Sequence, residues 1–286
     1  MTGDDNGYKI IRALITIYVI FSMNCVYLTY DVNKDNLNSE YHIYSEVKIQ
    51  SETRNTNDDI DWPMYKYDSH HTGYNPNILY NNSGRLRFKI RIHPTIETTS
   101  PSIDKYGNLY IGSSPSLTNS STAVYSINKN KSINWIFHNN YGTVNDAVCV
   151  ENDDNIYYTS SAGYIVSLYS DGTKNWFRKI NSSSTSALTI YKKNLYFGAN
   201  NGYLYKLNLN GTINLTVFLN NPVSSTISIT DDSIYAITKN GSLFCMSHLG
   251  DIKWRYYSHD EIWGASPSIS PMIDNDDNIY FGSWSK

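Results

Sequence analysis

The sequence predicts an all-β protein, a β-propeller built from four-stranded antiparallel blades, and three observations favour this fold class. Short motifs ending in a large apolar residue recur about every 40 residues, the spacing of propeller blades. The segments between them alternate apolar and polar residues with the period of two that is typical of strands. Tyrosine, which favours pleated surfaces, is over-used at 26 copies, and asparagine, which favours turns, is also very common.

The bulk composition narrows the class of protein. The chain has 286 residues, of which 40% are apolar and 17% charged, which is enough to bury a large core. A net charge of −3, with no cluster of Lys and Arg among aromatic residues, predicts no nucleic-acid partner. The cysteines Cys25, Cys149 and Cys245 are far apart and show no CxxC spacing. The last two are interpreted as small buried apolar residues rather than as a disulfide.

The amino-terminal region predicts export from the cytosol. An apolar run, residues 13–30, follows Lys9 and Arg12, and its length lies at the lower end of a bilayer span. The basic flank predicts that residues 1–12 stay cytoplasmic, as in an uncleaved signal anchor. A cleaved signal peptide stays open, although no A-x-A-like site follows the run, and so does a buried core helix. The propeller is then expected on the extracytoplasmic or lumenal side of a membrane, or secreted.

The polar residues 31–61 lack Gly and Pro and predict a linker to a folded domain at 62–286. Seven N-x-S/T sequons suit a glycosylated lumenal domain. They begin at Asn81, Asn119, Asn130, Asn181, Asn210, Asn214 and Asn240.

Each repeat contains an anchor residue and a turn. The anchors end the stretches GRLRF, KSINW, GTKNW, GTINL and GDIKW, and are Phe88, Trp135, Trp176, Leu215 and Trp254. Four residues earlier, the copies carry Gly84, Gly172, Gly211 and Gly250, with Lys131 as the exception. Glycine at this point permits a positive φ in a tight turn before the strand that carries the anchor.

Strand signals fill the rest of each repeat. Triplets such as Tyr125-Ser126-Ile127 place a small or polar residue between two large apolar ones, which predicts a strand with one buried face. Stretches such as SPSI and NLYIG predict two further strands upstream. Four short strands in about 40 residues make a propeller blade, which must stack on its neighbours because it cannot bury both faces alone.

The pattern LYxG…(Y/V)x(L/I)xxxGxxxW resembles the pyrroloquinoline-quinone-like (PQQ-like) repeat, and the resemblance extends roughly over residues 62–286. That family includes quinoprotein dehydrogenases, an outer-membrane assembly lipoprotein and lumenal stress sensors. The resemblance implies that the recurrent tryptophan packs between adjacent blades. That role falls to Trp135, Trp176 and Trp254, with Phe88 and Leu215 as substitutes. The stretch WPMYKYDSHHTGYNP, residues 62–76, resembles a segment that precedes the first blade.

The repeat count predicts about five blades. Four complete units run from Ser100 to His259, residues 77–92 match the third and fourth strands of a blade, and two more strands follow Ala265. These halves would close a ring of five. Because the family usually has seven or eight blades, a shortened chain with an incomplete ring is favoured over that ring.

The family also implies a possible chemistry, quinone-dependent oxidation with PQQ above a calcium ion, which needs a catalytic Asp and often a vicinal cysteine pair. No such pair and no matching Asp are found. His70 and His71, being adjacent, point to opposite faces of an extended segment. The acidic stretches 151–154 and 274–277 lack the spacing of a calcium loop.

The sequence therefore favours a non-catalytic scaffold that binds an unknown protein or ligand on a propeller face, with no catalytic, cofactor or metal residue assigned. The alternative is a PQQ-dependent quinoprotein oxidoreductase, or a fragment of one, with PQQ and calcium as cofactors.

Overall fold

A computed structural model describes residues 16–20, 25–33, 42–49, 63–73, 88–92, 95–115, 122–145, 147–151, 155–183, 186–223, 225–257 and 270–282. All regular elements within these ranges are β-strands, which confirms the predicted all-β class. The predicted Gly84, Asn81 and Asn119 lie outside the described residues.

Four consecutive antiparallel sheets, called blades 1 to 4, occupy the region where four complete repeats were predicted. Blade 1 contains β6 (Ser102–Ile103), β7 (Leu109–Pro115), β8 (Thr122–Ile127) and β9 (Ile133–Asn139), and β5 (Thr95–Thr98) also pairs with β7. Blade 2 contains β10 (Cys149–Val150), β11 (Ile156–Thr159), β12 (Tyr164–Leu168) and β13 (Lys174–Lys179). Blade 3 contains β14 (Thr189–Tyr191), β15 (Asn194–Gly198), β16 (Tyr203–Asn208) and β17 (Ile213–Phe218). Blade 4 contains β18 (Ser228–Ile229), β19 (Ile234–Ile237), β20 (Ser242–Met246) and β21 (Ile252–Tyr257).

The sheet before blade 1 differs from the sequence prediction. It contains β1 (Thr16–Ile20), β2 (Cys25–Asn33), β3 (His42–Ile49) and β4 (Phe88–Ile92). Two of these strands lie where an apolar helix was expected at 13–30, and β3 lies inside the predicted linker 31–61. The run is rich in Thr, Ile, Val and Tyr, which prefer strands to helices. Among the described residues, no helix has the length and apolar character needed to cross a membrane.

A two-stranded sheet, β22 (Met272–Ile273) and β23 (Ile279–Tyr280), follows blade 4 and matches the two strands predicted after Ala265. Strand β4 pairs with β3 and not with β23. Over the residues described, the sheets therefore do not close into a ring, which agrees with the predicted incomplete ring.

Each inner strand divides its side chains between two blade interfaces. In β15, Leu195 and Phe197 pack into a core shared with blade 2, whereas Tyr196 between them packs into a core shared with blade 4. In β11, Tyr157 faces blade 3 while Ile156 and Tyr158 face blade 1. The prediction of one buried face per strand was wrong, because the next blade covers the second face.

A hydrogen bond at equivalent positions links the first strand of each blade to that of the next. Ser102 donates its hydroxyl to Val148 O, and the Cys149 thiol donates to Leu188 O at 3.0 Å. Thr189 and Ser228 continue the series to Ile227 O and Pro271 O. Burial raises the pKa of the Cys149 thiol to about 12, so the sulfur keeps its proton and acts as the donor. This cysteine therefore does the work of a serine or threonine and is not only an apolar filler.

The anchor tryptophans lie on rows of three paired residues. Tyr157, Ser167 and Trp176 are neighbours across β11, β12 and β13, and the two aromatic ring centroids are 6.1 Å apart. The small central residue leaves room for the indole to lie over the sheet. Equivalent rows have Ser126 beside Trp135 and Cys245 beside Trp254.

Two of these indoles contact the glycine turn of the following blade. Trp135 Nε1 donates to Ser170 O at 2.8 Å, and a Cβ on Gly172 would lie 2.5 Å from its ring. Trp176 Nε1 donates to Leu209 O at 2.9 Å and lies against Gly211 in the same way. Gly172 has φ +85° and Gly211 φ +82°, so each glycine provides both the turn conformation and the space for the neighbouring indole.

In blade 3, two positions of the equivalent row carry different residues. Leu215 replaces the tryptophan, and Lys206 replaces the small residue of the row, with its Nζ 5.6 Å from the centre of the Tyr196 ring. Leu215 lies against Gly250, where an added Cβ would approach its Cδ1 to 3.1 Å. The long aliphatic part of the lysine occupies the place over the sheet that the indole takes elsewhere.

Replacing Trp176 by Ala is expected to lower the free energy of unfolding by about 2–3 kcal/mol, because a half-buried indole and its hydrogen bond are lost. Trp254 is a matched control, since its side chain is 42% exposed. The Trp254→Ala change should cost less than about 1 kcal/mol. Urea unfolding followed by tryptophan fluorescence and circular dichroism measures both, and equal losses would contradict the docking role.

Replacing Gly172 by Ala is expected to cost about 2 kcal/mol more than replacing Gly73, because both have positive φ but only the former meets an indole ring. Gly73 has φ +63° and no heavy atom within 4 Å of an added Cβ. Combining Gly172→Ala with Trp135→Ala should remove the excess cost. A fully additive double variant, measured by urea unfolding, would show that the ring is not the cause.

Candidate functional site: a segment across the first strands of the blades

The segment Pro63–Gly73, called the crossing segment, lies against the first strands of several sheets. Val150 N donates to Pro63 O at 2.7 Å in blade 2, and Ile229 N donates to Ser69 O at 2.7 Å in blade 4. Ile273 N of β22 donates to His70 O at 3.1 Å. The backbone of the crossing segment therefore joins the first strands of two blades and the first strand of the sheet that follows blade 4.

His71 is the buried centre of this segment, with only 1% of its surface exposed. Its Nδ1 lies 2.8 Å from Ser228 Oγ and 3.2 Å from Pro271 O, and its Nε2 lies 3.4 Å from Thr189 Oγ1. The Ser228 hydroxyl already donates to Pro271 O, so the network assigns the proton of a neutral imidazole to Nδ1.

The electrostatic surroundings keep this imidazole neutral. Burial, with smaller contributions from the nearby Lys66 cation and the His70 side chain, lowers the pKa of His71 to about 3, although the hydrogen bond to Pro271 O acts in the opposite direction. His70 is only half-buried, so the two adjacent histidines lie in different environments.

The donor atoms of the crossing do not fit calcium with a quinone above it. Calcium takes six to eight oxygen ligands, several of them carboxylates. The side chains at the crossing supply one neutral imidazole and two hydroxyls that already bind carbonyl groups. The Asp68 carboxylate accepts hydrogen bonds from the Thr72 backbone N–H at 2.9 Å and from the Thr72 hydroxyl at 2.6 Å. In the part of the chain that the structure describes, no three His, Cys, Asp or Glu side chains lie close enough together to hold a metal ion.

The acidic stretch at 274–277 forms a hairpin turn. Asp274 accepts hydrogen bonds from the backbone of Asp276 and Asn278 at 2.9 and 2.8 Å, and from Tyr280 Oη at 3.0 Å. The Asn278 side chain and backbone and the other donors hold the pKa of Asp274 below its usual range. Asp104 makes the same set of contacts in blade 1, so the stretch is explained by turn chemistry.

The described sequons and cysteines lie at separate places. Asn130, Asn181 and Asn210 are on exposed turns or strand ends, Asn214 is exposed on β17, and Asn240 lies in the turn between β19 and β20. Cys149 and Cys245 are both buried and free, in blades 2 and 4. The structure brings none of these residues to the crossing except Cys149, which shares an apolar core with Met64 and lies beside the Tyr65 backbone.

The crossing was missed in the sequence because it occurs once and leaves no periodic signal. The hydrogen-bond series was also missed, although the strands SPSI, AVCV, ALTI and TISI each carry a small hydrogen-bonding side chain at their third position. Aligning the repeats on their first strands would have revealed it.

Acid is expected to destabilise the protein through His71. Since its pKa is lower in the folded than in the unfolded state, its stabilising contribution is complete above pH 6.5 and declines as the pH falls from 6.5 towards 3. From pH 7 to pH 5 this group alone should lower the free energy of unfolding by about 2 kcal/mol. His71→Asn, whose amide can replace the Nδ1 donor, should remove this part of the pH dependence.

The matched control for that experiment is His138→Asn, on the exposed strand β9. Its free energy of unfolding should fall between pH 7 and pH 5 by as much as that of the unaltered protein. Urea unfolding at both pH values gives the comparison. An unchanged pH slope in His71→Asn would show that this histidine is not the acid-sensitive group.

Comparisons with known proteins show the fold. No family model matches the sequence, and no curated protein matches it. A europium-containing methanol dehydrogenase superposes with a TM-score of 0.57 at 15% identity, covering 69% of this chain and 48% of that one. A quinohemoprotein alcohol dehydrogenase from Comamonas testosteroni gives 0.51 at 14% identity, covering 69% and 41%. BamB from Moraxella catarrhalis gives 0.50 at 10% identity, covering 85% and 74%.

The chain therefore spans about half the length of the methanol dehydrogenase that it resembles. At these identities the likeness concerns the fold alone, and the neighbours have different names and activities. The chain has the fold of the PQQ-like β-propellers.

Proposed function

We propose that this chain is a non-catalytic binding scaffold, a PQQ-like propeller that presents its outer surfaces to a protein or ligand. The observation that carries the proposal is the crossing segment. Its backbone bonds to the first strands of two blades and β22, and its neutral His71 is buried against Thr189, Ser228 and Pro271.

The outer strands supply the surface for such a role. Large apolar side chains remain exposed on the fourth strand of each blade, although each inner strand is buried. They are Ile133, Ile136, Phe177, Ile213, Phe218, Ile252, Trp254, Tyr256 and Tyr257. Exposed apolar side chains concentrated on one class of strand favour contact with a partner.

Location remains part of the proposal. Residues 13–30 and the sequons would place the propeller outside the cytosol, either held by a membrane or secreted, and the partner would then be met there.

The scaffold proposal is tested by loading the purified protein with calcium and PQQ and measuring dye-linked oxidation of methanol, ethanol and glucose. We expect no turnover above buffer and no shift of the melting temperature, because the crossing offers no carboxylate set for the metal. An apo quinoprotein alcohol dehydrogenase, loaded in parallel, is the positive control. Turnover that depends on PQQ would overturn the proposal.

A further inference from the structure

The outer strand of blade 2 differs in charge from those of the other blades. Strand β13 reads Lys-Asn-Trp-Phe-Arg-Lys, and its cations Lys174, Arg178 and Lys179 are all exposed. Within the described part of the chain, none of the three forms an ion pair. Strands β9 and β17 contain no lysine or arginine. With three cations, β13 has more positive charge than the fourth strands of the other three blades, in a chain whose net charge is −3.

Strand β21 carries two cations, Lys253 and Arg255. Lys253 Nζ donates to Asp232 O at 2.7 Å and to Ser233 Oγ at 2.9 Å, and the Arg255 guanidinium lies 3.9 Å from the centre of the Tyr257 ring. On β13, Lys174 Nζ similarly lies 3.4 Å from Tyr141 Oη. The two strands therefore differ in the number of their cations, and β13 has the larger positive charge.

Three aromatic rings pack against one another beside the same strand. Tyr141, Tyr164 and Phe177 have ring centroids 5.0 to 6.0 Å apart and tilted ring planes. The Lys174 amine lies 5.1 Å from the centre of the Phe177 ring, and the Lys179 amine lies 5.2 Å from that of Tyr164. Phe177 remains 49% exposed, so this aromatic cluster presents an apolar ring to solvent near two cations.

The backbone of β13 offers the third element of a binding site. This strand is the last of its sheet and pairs only with β12, so its other edge has no partner strand in the described residues. A free edge accepts an extended peptide through main-chain hydrogen bonds, and the side chains on either side of it set the specificity.

We propose that β13 binds an extended acidic peptide segment of a partner protein, with an apolar side chain against the exposed Phe177 ring and acidic residues beside the cations. This inference rests on the proposed scaffold role and names the class of its partner. Lysines on an edge strand also discourage unwanted pairing. That function alone explains neither the exposed aromatic cluster nor the absence of cations from β9 and β17.

The test starts from a phage display library of random 12-residue peptides, selected on the purified full chain. Enriched peptides, labelled and measured by fluorescence anisotropy, should carry acidic residues on both sides of an apolar one. The variant Lys174→Glu/Lys179→Glu should weaken their binding about tenfold or more. Phe177→Ser should weaken it as well. Lys239→Glu, exposed in a turn of blade 4, is the control and should leave binding unchanged.

A second measurement separates strand addition from simple charge attraction. Methylating alternate backbone nitrogens of an enriched peptide keeps its charges but removes its donors, and should abolish binding. Circular dichroism should be the same for all variants. The melting temperature should be unchanged in the lysine variants, because the lysine side chains are exposed. Phe177→Ser loses ring contacts with Tyr141 and Tyr164, so its binding is measured well below its own melting temperature.

The inference would be overturned if the enriched peptides were neutral or basic. It would also be overturned if the β13 substitutions did not change their affinity, or if the methylated peptides bound equally well. So would a failure to enrich any peptide, or binding of polygalacturonate but no peptide through the same lysines. None of these results bears on the scaffold proposal, which the PQQ assay tests. The peptide-binding inference and the scaffold proposal can therefore fail independently of each other.

Discussion

The structure depends on one constraint, that a four-stranded blade has two apolar faces and can bury neither by itself. Each inner strand therefore divides its side chains between neighbours, as Leu195 and Phe197 do on one side and Tyr196 on the other. Burying both faces of a sheet removes roughly 25 cal/mol of unfavourable hydration free energy for each Å² of apolar surface. The blades consequently stabilise one another, and contact residues at their junctions recur with the repeat.

The recurrence explains what the sequence could predict. Trp135 and Trp176 each meet a glycine of the next blade, so both residue types must recur in successive repeats, and their recurrence revealed the blades. The same reasoning accommodates Leu215, because a compensating change at Lys206 accompanies it in the same row. Local turn chemistry was equally readable, since Asp274 and its partners lie within six residues.

Features that occur only once in the chain could not be predicted by comparing repeats. The burial of His71 depends on Thr189, Ser228 and Pro271, which are far from it in sequence and give no pattern around it. Strands β1 and β2, which lie where an apolar helix was expected over 13–30, have a different explanation. Hydropathy measures only whether a run is apolar, and the Ile, Val, Thr and Tyr of this run also have strong strand preferences.

The crossing segment has a consequence for how the chain folds. His71 and Pro271 are 200 positions apart, yet they are in contact. Blades built only from near neighbours in sequence can form one after another as the chain emerges, because each needs only local contacts. The crossing segment emerges before all four blades but completes its contacts only when β22 has been made. The contacts between the crossing segment and β22 are therefore expected to form after the contacts within the four blades.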